Sequence, residues 1–83
     1  MRVKVLFFGA TADEAGTNEA EIELNRPSTS ESAFEAILAK FPALTTNRKP
    51  EDLLFAVNQE YVAGGESIAE DDVLAVFTAV SGG

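Results

Sequence analysis

The two residues best placed to do chemistry are the last two. Gly82 and Gly83 carry no β-carbon, so an arm ending in them can thread a narrow channel and present its final carbonyl carbon to another protein's catalytic groups. The reacting group would be the terminal carboxylate of Gly83. A carboxylate resists nucleophiles until ATP converts it to an acyl-adenylate. A sulfur nucleophile can then displace AMP and leave a thiocarboxylate. Small residues at a chain end also arise by chance, so the pair gains meaning only from the body that carries it. The rest of the chain offers few reactive groups, for it has no cysteine and no histidine. That excludes a disulfide, a thiol nucleophile, a zinc-thiolate site, an internal persulfide and any imidazole base or metal ligand. Those groups would have to come from a partner.

The body is small. Its 83 residues suit one domain, 1–83, and 46% hydrophobic residues against 24% charged indicate a folded chain. Six basic residues face fourteen acidic ones, a formal charge of −8. This balance leaves little to neutralise phosphates and argues against nucleic acid and against an anionic membrane surface. No apolar stretch approaches the roughly 18 residues of a membrane span. Met1-Arg2-Val3-Lys4 leads into a strand-like run with no cleavage pattern, so a cytoplasmic domain is expected. Glu60, Glu66, Glu70, Asp71 and Asp72 are all the charges after Asp52, and that end could steer toward a basic partner surface. Glu70-Asp71-Asp72 does not read as a metal site, because adjacent carboxylates do not converge without other ligands. Arg48 and Lys49 read as a solvated loop rather than a phosphate site.

The elements that must position the arm follow from periodicity. Val3 to Phe8 is β-branched and aromatic, as strands are. Residues 9–18 read as a polar loop with Gly9 at its start. Residues 19–24 alternate strictly, with carboxylates out and Ala20, Ile22 and Leu24 in, so a strand antiparallel to the first is expected. A hydroxyl-rich helix start follows Pro27, where Ser28 and Glu31, and Ser32 and Glu35, have capping-box spacing. Ala33, Phe34, Ile37, Leu38 and Phe41 form one helical stripe, ended by Pro42. Residues 45–52 read as a loop, 54–57 as a short strand, 58–60 as a turn and 61–62 as a second short strand closed by Gly64-Gly65. An acidic turn then precedes a long apolar strand over 73–80.

Strand, strand, helix, short strands and strand make an α+β fold. The last strand lies beside the first and parallel to it, because the connection contains the helix. This is the β-grasp, or ubiquitin-like, arrangement: a mixed sheet with one main helix packed across one face. On it Leu74 and Val76 face the helix, while Ala75, Phe77 and Ala79 lie on the open face beside Leu6 and Phe8, with Tyr61 near the rim. A slip of one residue would exchange the two sets. An open apolar face of this kind is a binding surface.

Four stretches, Lys4-Val5-Leu6-Phe7-Phe8-Gly9, Ala56-Val57-Asn58-Gln59, Glu70-Asp71-Asp72-Val73 and Val80-Ser81-Gly82-Gly83, together resemble the MoaD-type sulfur carriers. These are the small subunits of molybdopterin synthase and are related to the ThiS carrier of thiamine synthesis. The resemblance spans essentially the whole chain. It implies that Gly83 is adenylated by a ubiquitin-activating-like adenylyltransferase using ATP and converted to a thiocarboxylate with sulfur from a sulfur-donating enzyme. It further implies that Ser81, Gly82 and Gly83 enter the large synthase subunit and give sulfur to cyclic pyranopterin monophosphate, forming the dithiolene of molybdopterin. Phe77, Tyr61, Phe8, Leu6 and Ala79 would dock to that subunit in a heterotetramer. The chain would bind no cofactor and would not be catalytic alone. It departs from the family pattern at Asp71-Asp72, where the family often has Gly-Asp, and at Thr78-Ala79, where it often has Pro-Pro. Aspartate tolerates the left-handed conformation at modest cost, so the turn can survive. A thiamine-type carrier is one alternative, although those usually lack the 45–52 loop. A non-enzymatic ubiquitin-like interaction or modifier domain, whose tail could form an amide with a partner lysine, is another.

Overall fold

The computed structural model describes residues 1–61 and 65–78. Strand β1 (Arg2–Phe7) alternates strictly between solvent and core, burying Val3, Val5 and Phe7. It pairs antiparallel with β2 (Glu19–Glu23), setting Val3 opposite Ile22. It pairs parallel with β7 (Val73–Thr78), setting Phe7 opposite Val76. Strand β4 (Leu53–Val57) adds antiparallel to the other side of β7, and β5 (Glu60–Tyr61) closes the sheet, giving the order β2-β1-β7-β4-β5. The central position of β7 explains why its sequence is apolar on both faces. A two-stranded ladder of β3 (Ser28–Thr29) and β6 (Ser67–Ile68), not foreseen in the sequence, ties the helix start to the segment before the last turn.

Helix α2 (Ser30–Lys40) lies across one face and presents Ala33 and Ile37 to Val3, Val5, Leu74 and Val76 in one core. Full burial of the Ile37 side chain contributes roughly 1.5–3 kcal/mol. Phe34 and Phe41 extend the stripe edge-to-face against Phe55 and Phe7, with centroids 4.9 Å and 5.0 Å apart. The helix is capped one residue later than the hydroxyl spacing predicted. Thr29 Oγ1 accepts from the Ser32 amide, and Ser32 Oγ accepts from the Thr29 amide at 2.9 Å. Ser28 is unavailable as a cap because it sits buried in β3 and donates to the Asn25 carbonyl.

Two readings of the loops are corrected. The segment after Gly9 contains a helix, α1 (Ala10–Ala15), closed by Gly16 in the left-handed conformation at φ 78°. Gly9 and Gly16 are its N-cap and C-cap, and Ala12 and Ala15 pack on the core. Residues 42–52 are built from two short 3₁₀ turns, Pro42–Thr45 and Pro50–Asp52, which carry Leu44 into the core. Arg48 between them is not solvated. Its side chain is 19% exposed, pairs with Glu14 of α1 and donates to the Leu44 carbonyl at 3.0 Å. Among the described residues no helix is long and apolar enough to cross a membrane.

Candidate functional site: an aromatic row on the open sheet face

Alternation along β7 decides what the open face presents. Leu74 and Val76 are fully buried against the helix, so Ala75 and Phe77 must point the other way. Register then sets Leu6 beside Ala75, Leu54 beside Phe77 and Ala56 beside Tyr61. Phe77 is the centre of a row of three rings. Phe8 lies 6.5 Å away at 83°, and Tyr61 lies 5.7 Å away on the other side at 53°. Among the described residues the outer rings are the exposed large apolar side chains, Phe8 at 53% and Tyr61 at 71%. Leu6, Phe8, Ala56, Ala75 and Phe77 line one groove, with Asn58 and Gln59 at its rim. Ala56, which the sequence did not single out for this face, supplies the floor.

The rim is held by local hydrogen bonds and turn geometry. Asn58 and Gln59 form a two-residue hairpin turn with φ 51° and 73°, the conformation that such a turn between right-twisted strands requires. The Asn58 side chain accepts from the Val73 amide at 3.0 Å and donates to Asp72 at 3.1 Å. Asp72 also accepts from the Ala69 amide at 2.8 Å. Asp71 takes φ 69°, the left-handed position read from the sequence as a glycine site of the family.

The acidic turn is held by its own hydrogen bonds. Glu70 accepts from the Arg2 amide at 2.9 Å and from the Arg26 guanidinium at 2.6 Å. The Arg2 amide above all, with the nearby Arg26 charge, holds its carboxyl below the usual glutamate range against a smaller opposing desolvation. Glu70 and Asp72 are therefore structural acceptors. Among the described residues no group of acidic side chains is placed to hold a metal ion. The open face is flanked instead along β2, where Glu19 and Glu23 pair with Lys4 and Arg2.

The structure thus brings Leu6, Phe8, Tyr61 and Phe77 to one surface. Ala79, Ser81, Gly82 and Gly83 lie outside the described residues, as do Val62 and Gly64. The sequence reading missed Thr11, which is fully buried at the edge of this surface. It stood in a segment taken for a polar loop, and nothing in its neighbours marked it.

Comparison with known proteins agrees with this geometry. The molybdopterin synthase sulfur carrier subunit of Chlamydomonas reinhardtii is 36% identical over 85 residues, covering all of both chains. The crystal structure of SAMP1, the small archaeal modifier protein 1 of Haloferax volcanii, superposes with a TM-score of 0.86 at 27% identity over all of both chains. At 23% identity, the fold alone is shared with a chain in the complex of subunits 1 and 2 of the molybdopterin-converting factor from Helicobacter pylori 26695, with a TM-score of 0.70 and both chains fully covered. These are ubiquitin-like β-grasp proteins, and the model of the ThiS family matches residues 5–83. With its parallel β1–β7 centre, its crossing helix and a family match over residues 5–83, the chain belongs to the ThiS family.

Proposed function

We propose that this protein is the sulfur-carrier subunit of molybdopterin synthase. The carrying observation is a family match that runs through Gly82-Gly83 in a chain with no cysteine or histidine. In this reading the Gly83 carboxylate is the transferring group, and the activating chemistry belongs to partners. A ubiquitin-activating-like adenylyltransferase joins the Gly83 carboxylate to AMP from ATP and releases pyrophosphate. Sulfide supplied by a sulfur-donating enzyme attacks the acyl carbon and expels AMP, leaving a thiocarboxylate. The aromatic row of Phe8, Phe77 and Tyr61 docks to the large subunit, while Ser81, Gly82 and Gly83 enter its site. There the thiocarboxylate gives sulfur to cyclic pyranopterin monophosphate toward the dithiolene.

A second reading is supported by the likeness to SAMP1. In it the same carboxylate, once adenylated, is taken by a lysine amine and forms an isopeptide bond. The mass of the chain isolated from its host separates the two. The carrier reading predicts replacement of one terminal oxygen by sulfur, together with alkylation at Gly83 by a thiol reagent. The alkylation is needed because oxidation of Met1 adds nearly the same mass. It also predicts that removing Gly83 abolishes molybdopterin formation while the melting temperature is unchanged. A truncated chain that stays fully active overturns the acyl role, and isopeptide-linked conjugates without any thiocarboxylate establish the second reading.

A further inference from the structure

Thr11 occupies an unusual place in the sheet. Along the parallel pair of β1 and β7, the Lys4 amide donates to the Asp72 carbonyl at 3.1 Å. Four residues further on, the same offset would bring the Phe8 amide to the Val76 carbonyl. It does not reach it directly. The Phe8 amide donates instead to Thr11 Oγ1 at 3.0 Å, and that hydroxyl lies 2.8 Å from the Val76 carbonyl oxygen. The hydroxyl also lies 2.9 Å from the Phe8 carbonyl, but that oxygen already accepts from the Thr11 amide at 3.2 Å. With one hydrogen to give, Thr11 serves best by donating to Val76. The last rung of the ladder is thus made through a side chain, with one hydroxyl inserted between the strands.

The insertion has a consequence for the open face. It holds Phe8 one hydroxyl's width away from β7, at the point where Gly9 turns the chain with φ 58° into α1. The Phe8 ring stands there edge-on to Phe77. Thr11 itself is fully buried. We propose that Thr11 is a positioning residue: its inserted hydroxyl sets the spacing of Phe8 from Phe77 and so the shape of the docking row. Its effect on docking rests on the function proposed above, whereas its effect on Phe8 does not.

Three chains test this: the wild type, Thr11→Val, which keeps the shape and removes the hydroxyl, and Thr11→Ser, which restores it. In the free wild-type chain, nuclear magnetic resonance should show a slowly exchanging Thr11 hydroxyl proton close to the Phe8 amide. An absent or fast-exchanging hydroxyl there overturns the inserted rung, and this reading needs no variant to fold. In Thr11→Val, shown folded by circular dichroism, the Phe8–Phe77 ring contacts should be lost or shifted. Affinity for the large synthase subunit, by calorimetry, should fall about tenfold, as when a competent arrangement drops to about a tenth of the population. Thr11→Ser should bind within about twofold of wild type. Folded Thr11→Val with unchanged ring contacts overturns the positioning role. Altered contacts with unchanged affinity, while Phe8→Ala weakens binding, overturn its bearing on docking. If Phe8→Ala also binds normally, the docking face assigned above is what fails, and the ring contacts alone then decide the role of Thr11.

Discussion

Two adjacent residues of β7 offer a test of the face assignment, because alternation gives them opposite surroundings. The Val76 side chain is fully buried among Val5, Phe7 and Ile37. Val76→Ala removes two carbons, about 1.6 kcal/mol at 0.8 per methylene, and a residual cavity brings the cost to about 2–3 kcal/mol. For a domain of this size that lowers the melting temperature by about 10–20 °C. Phe77 is partly exposed, and its packing on this face includes ring contacts to Phe8 and Tyr61. Phe77→Glu forfeits those contacts at a cost of about 1 kcal/mol, a loss of about 5 °C. Binding should reverse the order. A carboxylate carried into an apolar contact without a partner costs at least about 2 kcal/mol, roughly a thirtyfold rise in Kd for the large subunit. Val76→Ala, measured well below its melting point, should bind within about threefold of wild type, since β7 keeps its register. Thermal circular dichroism and calorimetry on the same samples suffice. If Phe77→Glu melts lower than Val76→Ala and binds normally, the strand faces are exchanged and the docking row is wrong.

Two further outcomes are expected. Glu70 has its carboxyl held below the usual range in the folded state, so its contribution is present above the ordinary glutamate pKa and is lost as pH falls through the lower folded value. The difference in melting temperature between wild type and Glu70→Gln should therefore shrink as pH drops from neutral toward 3, and a constant difference would remove the charge from the explanation. Arg48→Ala leaves Glu14 of α1 half-buried without its cation and the Leu44 carbonyl without a donor; urea unfolding should show a loss of about 1–2 kcal/mol, against less than about 0.5 for the neighbouring exposed Lys49→Ala.

Much of this protein is legible in its residues taken one after another. Strict alternation in 19–23 and a helical stripe through Ile37 each name an element and its buried face, since burial on one side imposes a period. A double-sided apolar run over 73–80, described as strand through Thr78, marks the central strand for the same reason. The absence of cysteine and histidine, together with Gly82 and Gly83, is what the sequence offers toward the proposed backbone chemistry. Other features depend on groups far apart in the chain. The helix at Ala10–Ala15 gains its stability from docking alanines on a core made elsewhere, so its short polar sequence reads as loop. Arg48 becomes a structural cation only because α1 brings Glu14 to it. Thr11 matters because a parallel ladder, closed between residues 65 positions apart, leaves a gap that one hydroxyl fills. Local pattern reports which face is buried. Which distant group completes a hydrogen bond is decided only when the strands are in register.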